Sequence, residues 1–317
     1  MIVVDHVTKY YGATPAVRDL DFRIEEGECV GFLGLNGAGK TTTLRLLSCL
    51  LLPTAGRVTI RGLDVEAEPH EIRKFIGFLP DHPPLYGEMT VEEYVRFAGR
   101  LRRMSKSAVE KRLPEVIDTC GLREVAHQPI ATLSHGYRQR AGIAQAIVHK
   151  PALLILDEPI QGLDPVQIVE MREMIRRLRG EHTILLSTHI LSEIEQTCDR
   201  ILMLHQGRIT AQGSEEELAA RFGEGVAVEM EVRGEEDAVR RALEAVDGVR
   251  EVTIAPAADG MLSVEVRAGR DVREEASRAV VQAGAGLRSL RRVATRLENI
   301  FVELSARDGS GDGGTAA

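Results

Sequence analysis

The sequence predicts an α/β protein: a mixed, mainly parallel sheet covered by helices, with a small α+β unit appended. Three observations carry this. Short apolar runs at 29–33, 153–156 and 183–187 are of the kind found in strands buried on both faces, and helical segments alternate with them. A glycine-rich stretch, Gly34 to Thr41, joins the first of these runs to a helix. From residue 226 to residue 293 the order is strand, helix, strand, strand, helix, strand, the ferredoxin-like split unit.

Taken in order, residues 2–7 and 16–24 alternate apolar with polar and read as antiparallel strands, with Lys9-Tyr10-Tyr11-Gly12 as a turn carrying an exposed aromatic. Residues 29–33 form the first buried strand, 42–47 its helix, and Val58-Thr59-Ile60 a further short strand. Residues 70–80 hold a short helix and the strand 76–79, and 81–86 form a loop stiffened by Pro83 and Pro84. Helices follow over 90–103, where Thr90 and Glu93 make a capping-box pattern, and over 107–120. Another runs from the Ser134 region to about Lys150, and one more spans 165–179 between the strands 153–156 and 183–187. Composition shifts near Gly223. Strands at 226–233, 249–255, 261–267 and 287–293 and helices at 235–246 and 271–283 complete the second unit. An amphipathic helix over 295–305 places Leu297, Ile300, Phe301 and Leu304 on one face, and the Gly/Ser/Asp/Ala tail 306–317 reads as disordered. The expected domains are therefore 1–222, with a helical subdomain at about 88–150, then 223–305, then the tail.

A chain of 317 residues fits two domains. Its formal charge of −8 argues against a nucleic-acid footprint, which needs clustered Lys and Arg. The four cysteines, Cys29, Cys49, Cys120 and Cys198, are far apart in sequence and form no C-x-x-C pair, so neither metal nor disulfide use is expected. The richest apolar run, Leu44 to Leu52, is broken by Arg45 and closed by Pro53, well short of the ~20 residues of a membrane span. The opening residues read as a strand and lack the features of a signal peptide. A soluble protein is expected.

Gly34-Leu35-Asn36-Gly37-Ala38-Gly39-Lys40-Thr41 has the spacing G-x-x-x-x-G-K-T. Its glycines let successive backbone N–H groups turn toward phosphate oxygens, Lys40 adds a point charge, and the Thr41 hydroxyl can ligate Mg²⁺. The helix that follows aims its positive end at the same anion. Asp157-Glu158 closes a buried strand, where Asp157 can hold Mg²⁺ opposite Thr41 and Glu158 can polarise an attacking water. Ser134 can cap the helix after it, and Gly136 allows close backbone approach to an anion, although by themselves these two describe an ordinary capped helix. A lone histidine is more often a structural residue than a catalytic one, but His189 follows the strand 183–187, where such folds place ligands, which favours a functional role.

The ordered set resembles the ATP-binding subunit of an ABC transporter over residues 2–220. Its parts are the loop 34–41, the loop at Asp81, L-S-H-G-Y at 133–137, L-L-I-L-D-E-P at 153–159, G-L-D-P at 162–165 and S-T-H at 187–189. The resemblance implies an ABC-type P-loop ATPase fold with ATP and Mg²⁺ as ligands. By that likeness Tyr11 stacks on the adenine with Val17 packing nearby. Asn36, Gly37, Ala38, Gly39, Lys40, Thr41 and Thr42 hold phosphates and Mg²⁺, with Asp157 and Asp81 as further metal residues. Glu158 is the general base, and His189 contacts the γ-phosphate. A head-to-tail homodimer is implied, in which Ser134 and Gly136 of one subunit close over ATP bound to the other and Asp164 acts across the interface.

The sequence departs from the family pattern in two places. Asp81 stands where Gln is usual; its shorter carboxylate cannot donate a hydrogen bond when ionised, so a water bridge is expected. L-S-H-G-Y replaces the common L-S-G-G-Q, keeping Ser134 and Gly136 while His135 and Tyr137 are expected to alter dimer affinity. The segments 78–86, 133–140 and 187–195 resemble the type-two exporters, including the gliding-motility-associated ATPases. That subgroup implies a polytopic permease as partner, a location at the cytoplasmic face of the membrane, and a coupling helix of the permease beside 81–86 and 90–103. No nucleic-acid partner is expected. A soluble ABC ATPase acting on DNA or ribosomes is the alternative, disfavoured by the single phosphate loop, the acidic balance and the lack of a long coiled coil; a non-hydrolysing switch is disfavoured by Lys40, Asp157, Glu158 and His189. For the C-terminal unit a packing or dimerising module and a ligand sensor both stay open, and the cargo is not readable.

Overall fold

The computed structural model describes residues 1–222, 226–257 and 260–293. The chain forms two compact units that divide between Ser214 and Glu215, ahead of the composition shift near Gly223. Among the described residues no helix is long and apolar enough to cross a membrane.

The first unit opens with the hairpin β1 (Ile2–Tyr11) and β2 (Thr14–Ile24). Here the expected turn at Lys9–Gly12 needs correcting. Tyr10 and Tyr11 favour extended backbone and pair with Pro15 and Thr14, so β1 runs on through them. Gly12, at a φ of +59°, then opens the short turn. β3 (Cys29–Leu33) leads to α1 (Lys40–Leu47), followed by β4 (Ala55–Ile60), β5 (Leu63–Asp64), α2 (Pro69–Ile72) and β6 (Ile76–Leu79). Three helices come next: α3 (Val91–Leu101), α4 (Lys106–Thr119) and α5 (His135–Ile147). The expected capping box holds α3, with Thr90 Oγ1 accepting from Glu93 N and Glu93 Oε2 accepting from Thr90 N at 2.8 Å. The unit ends with β7 (Leu153–Asp157), α6 (Pro165–Leu178), β8 (Thr183–Thr188), α7 (Leu191–Thr197), β9 (Arg200–His205) and β10 (Arg208–Gly213).

Two sheets result. The antiparallel one has the order β2-β1-β4-β5; the other has the order β10-β9-β3-β8-β7-β6, parallel from β9 to β6 with β10 antiparallel at one edge. The second sheet is apolar on both faces, and the strand period of two divides its residues between two cores. Leu154, Leu156, Ile184 and Leu186 face one core with the helices α3 to α6, whereas Leu153, Ile155 and Leu185 face the other with α1 and the antiparallel sheet. Phe32 meets Phe22 edge-on at 5.4 Å, joining the two sheets. Parallel pairing puts Leu33 beside Thr188 and Asp157 beside Ser187, so the chain leaves all three strands on one edge of the sheet. The fold also brings together two cysteines that the sequence separates: the free thiols of Cys29 and Cys198 lie 3.8 Å apart.

The second unit contains α8 (Glu215–Phe222), β11 (Val226–Arg233), α9 (Glu236–Glu244), β12 (Val249–Pro256), β13 (Leu262–Ala268), α10 (Arg273–Gln282) and β14 (Gly286–Val293). Its antiparallel sheet has the order β12-β13-β11-β14, the ferredoxin-like arrangement in which each split strand pair admits a strand between. Val239 and Leu243 of α9 and Ala276 and Val280 of α10 pack with Val228, Met230, Val264 and Val266. The alternate positions carry charge, and Arg291 bonds Glu229 at 2.8 Å while Arg267 bonds Glu265 at 3.2 Å. The helix expected at 295–305 and the tail at 306–317 lie outside the described residues.

One buried group predicts how stability responds to acid. His149, just past α5, donates from Nε2 to the Ile76 carbonyl at 3.1 Å, and its Nδ1 is buried without a partner. Burial first, then the nearby Arg102, pushes its pKa down to about 4. In the unfolded chain the ring titrates near 6.5, so between those values the unfolded state binds the extra proton. Stability should be constant from this source above about pH 6.5 and fall as pH drops toward 4, by at most ~1.4 kcal/mol per pH unit. Urea unfolding of the protein and of His149→Gln between pH 7.5 and 5 checks this; the variant should lose part of the pH dependence.

Candidate functional site

The loop after β3 is shaped by what cannot fit around it. A Cβ on Gly34 would meet the Leu204 carbonyl oxygen at 2.6 Å, and one on Gly39 would meet the Ala16 carbonyl oxygen at 2.7 Å. Gly39 also caps α1 at a φ of +103°, where a side chain is strained. Gly207 pins the loop from the far side, donating its N–H to the Ala38 carbonyl at 2.9 Å. α1 then begins at Lys40 with its first N–H groups directed out of the helix start.

A cavity of about 440 Å³ opens over this loop. Asn36, Gly37, Gly39, Lys40, Thr41, Thr42, Asp81 and Glu158 all line it. Ala38 is buried in the core beneath. Val17 requires a correction: it is wholly buried, and Ala16 lines the cavity in its place. β2 carries a register irregularity near Asp19, whose φ is +51°, and this fixes the phase that sends Val17 inward. Tyr11 is exposed at the hairpin tip and does not line the cavity.

The charged groups form a connected chain. Lys40 is buried, with Nζ donating to the Gly34 carbonyl at 2.6 Å and lying 3.3 Å from Glu158 Oε1. Glu158 Oε2 lies 3.1 Å from His189 Nδ1. Glu158 is itself buried, and its φ of +49° places it in the left-handed region that non-glycine residues seldom occupy. Behind it, Asp157 Oδ1 accepts from Ser187 Oγ at 2.6 Å and stands 3.5 Å from Thr41 Oγ1. Burial pushes the Asp157 carboxyl above its usual range; the hydrogen bonds of Ser187 and Thr41 oppose that, and the charges of Asp81 and Glu158 reinforce it.

These residues fit a nucleotide with its divalent cation. The buried Lys40 ammonium and the open helix start suit phosphate, and the facing oxygens of Thr41 and Asp157 are hard ligands of the kind Mg²⁺ takes. A cation would also offset the clustered acids that raise the Asp157 carboxyl.

Three of the predicted residues lie elsewhere. Ser134 caps α5, accepting from Tyr137 N at 3.4 Å; Asp164 caps α6, accepting from Val166 N and Gln167 N at 3.0 and 2.9 Å. A Cβ on Gly136 would meet Gln167 Oε1 at 2.6 Å. None of the three lines the phosphate-loop cavity of its own chain. Two of the three residues that depart from the family pattern, Asp81 and His135, line a neighbouring cavity of about 380 Å³ with Arg138 and Gln161. Asp81 lies 3.0 Å from His82 Nδ1, and His135 Nε2 meets the Gln161 carbonyl at 3.0 Å. Sequence reasoning missed Ser187, Gln161 and Ala16. For Ser187 a signal existed, a small polar residue directly after the apolar run Ile184-Leu185-Leu186.

Residues 17–161 match the family model described as "ABC transporter". The chain is 42% identical to an uncharacterized ABC transporter ATP-binding protein, YxlF of Bacillus subtilis, over 69% of this chain and 72% of that protein. It is 31% identical to the linearmycin resistance ATP-binding protein LnrL of the same organism, over 97% of this chain and 99% of LnrL. Among solved structures it is similar to the dimeric, post-hydrolysis ATP-binding cassette MJ0796 bound to ADP and Pi, with a TM-score of 0.63, 28% identity, and coverage of 68% of this chain and 98% of that one.

Gly39→Ala tests the loop. The strained φ and the Ala16 carbonyl should lower stability by roughly 2 kcal/mol and abolish nucleotide binding. Urea unfolding and fluorescent-nucleotide titration of the variant read the two effects separately.

Proposed function

This chain belongs to the ABC transporter ATP-binding proteins, and we propose that it drives an exporter whose permease is a separate polytopic membrane protein. The subunit is an ATPase. The observation that carries the reading is the convergence of Lys40, Thr41, Asp157 and Glu158 at one phosphate-sized cavity. The match to a resistance protein along nearly the whole chain supports export over import.

In this reading Lys40 leaves the Gly34 carbonyl and Glu158 to meet the β- and γ-phosphates, and the N–H groups from Gly37 to Thr42 surround them. Thr41 and Asp157 would hold Mg²⁺, with Asp81 acting through water, and the ion would supply positive charge against the phosphates. Glu158, released from Lys40, accepts a proton from the attacking water. His189 orients Glu158 through Nδ1. To donate to the γ-phosphate through Nε2 at the same time, the ring must carry both protons. Tyr11 supplies a stacking face for the adenine.

Ser134, Gly136 and Asp164 act in trans. That none of them lines its own chain's cavity supports a head-to-tail dimer in which the start of α5 closes over the partner's nucleotide. Closure lasts while the γ-phosphate is bound, and hydrolysis releases it. A permease at the cytoplasmic face of the membrane takes up that motion through the surface beside residues 81–86 and α3. The unit Met1–Ser214 serves as the ATP-binding domain, with 88–150 as its helical part, and the unit that begins at Glu215 as an accessory module that stabilises the dimer.

Glu158→Gln should keep ATP affinity within a few-fold while slowing hydrolysis by about 10²–10⁴. It should also run as a dimer on gel filtration with ATP. Captured from membranes in that state, the tagged variant should bring down a polytopic membrane protein in stoichiometric amount. Ribosomes or DNA in its place would overturn the exporter reading and leave the ATPase site standing.

A further inference from the structure

We propose that Ser187 is a positioning residue for hydrolysis: its hydroxyl sets the Asp157 carboxylate for the metal and fixes the main chain that carries Glu158. The inference rests on the reading of Asp157 as a metal residue and Glu158 as the base.

Ser187 lies within β8, fully buried, after the apolar run Ile184-Leu185-Leu186. Parallel pairing sets it beside Asp157 on one side and Phe32 on the other. A serine hydroxyl has one proton to give and lone pairs to receive with. Here the proton goes to Asp157 Oδ1 at 2.6 Å, and the oxygen accepts the Glu158 N–H at 3.1 Å. The same N–H also reaches the Ser187 carbonyl, at 3.2 Å. One residue thus holds both members of the acidic pair, by different parts of each.

The two contacts have different consequences. The hydroxyls of Ser187 and Thr41 both address Oδ1 of Asp157, and among the described residues no hydrogen bond reaches Oδ2. The carboxylate is therefore fixed by one oxygen, with the other left to accept from the water shell of a cation. Groups that orient a ligating carboxylate in this way typically govern metal affinity by 10- to 100-fold. The contact to the Glu158 N–H acts on the backbone. Glu158 sits at a φ of +49°, a conformation that persists only where neighbours impose it. The Ser187 hydroxyl and carbonyl together supply that constraint where the strand ends.

A serine that merely satisfied a buried carboxylate would affect folding and leave metal binding alone, so metal affinity is the deciding readout. The full chain bound to a non-hydrolysable ATP analogue is titrated with Mn²⁺, and free Mn²⁺ is followed by electron paramagnetic resonance. Ser187→Ala should weaken Mn²⁺ about 10-fold. Its affinity for the analogue in EDTA should stay within two- to three-fold of the parent. Ser187→Thr, which keeps the hydroxyl, should return Mn²⁺ affinity to near the parent value. Ser187→Cys, close in size but a weak donor, should behave like Ala and serves where Ala fails to fold. Parent-like Mn²⁺ affinity in both Ala and Cys variants would overturn the proposal. Asp157→Asn is run alongside. If it loses Mn²⁺ while Ser187→Ala keeps it, only the role of Ser187 falls; if it too binds normally, the reading of Asp157 falls first.

Discussion

The parallel pairing of β3, β8 and β7 is the constraint on which the site depends. Strands buried on both faces can carry polar side chains only where they emerge, and parallel strands emerge on the same edge. The register sets Leu33 beside Thr188 and Asp157 beside Ser187. The phosphate loop, the acidic pair and the Thr188-His189 turn are therefore neighbours in space although more than a hundred residues separate the first from the second. A shift of one residue in β7 would turn Asp157 toward a core and present Leu156 at the site.

That edge concentrates charge in a setting with little water. Glu158 sits between Lys40 and His189, and Asp157 between two hydroxyls, so each buried acid has a partner. Buried charges are costly unless paired, and pairs of this kind are exchangeable: an incoming phosphate competes with Glu158 for Lys40. In the proposed reading, phosphate binding would weaken the attraction that keeps Glu158 in place and free the carboxylate to act as a base, so that Lys40 would serve both events.

Much of this was legible in the sequence wherever the determinant is local. Thr90 with Glu93, Ser134 before α5, and the loop from Gly34 to Thr41 are patterns within a few residues, and each forms as read. The order of elements in the C-terminal unit was legible for the same reason, through its alternation of period-two and helical segments. What escaped was set by pairing at a distance. The hairpin continues through Tyr10 and Tyr11 because β2 receives them, and irregularities near His6 and Asp19 fix which way Val17 points. Ser187 read only as the end of a buried strand until β8 was placed against β7. The backbone of Glu158 and the approach of Cys29 to Cys198 have no signature in the residues that flank them.

The two departures from the family pattern gain meaning together. Asp81 and Gln161 each line both the phosphate-loop cavity and its neighbour, and His135 binds the Gln161 carbonyl. His135 belongs to the segment that would face a partner's nucleotide, whereas Asp81 and Gln161 face the chain's own. One hydrogen bond therefore joins the start of α5 to the wall of the phosphate-loop cavity. Coupling between the two sites of a dimer would then need no extended route through the core; movement of α5 on closure would pull directly on the Gln161 backbone. With glycine in place of His135 that side-chain link would be absent. The histidine is thus better understood as a tie between motifs than as a tolerated substitution.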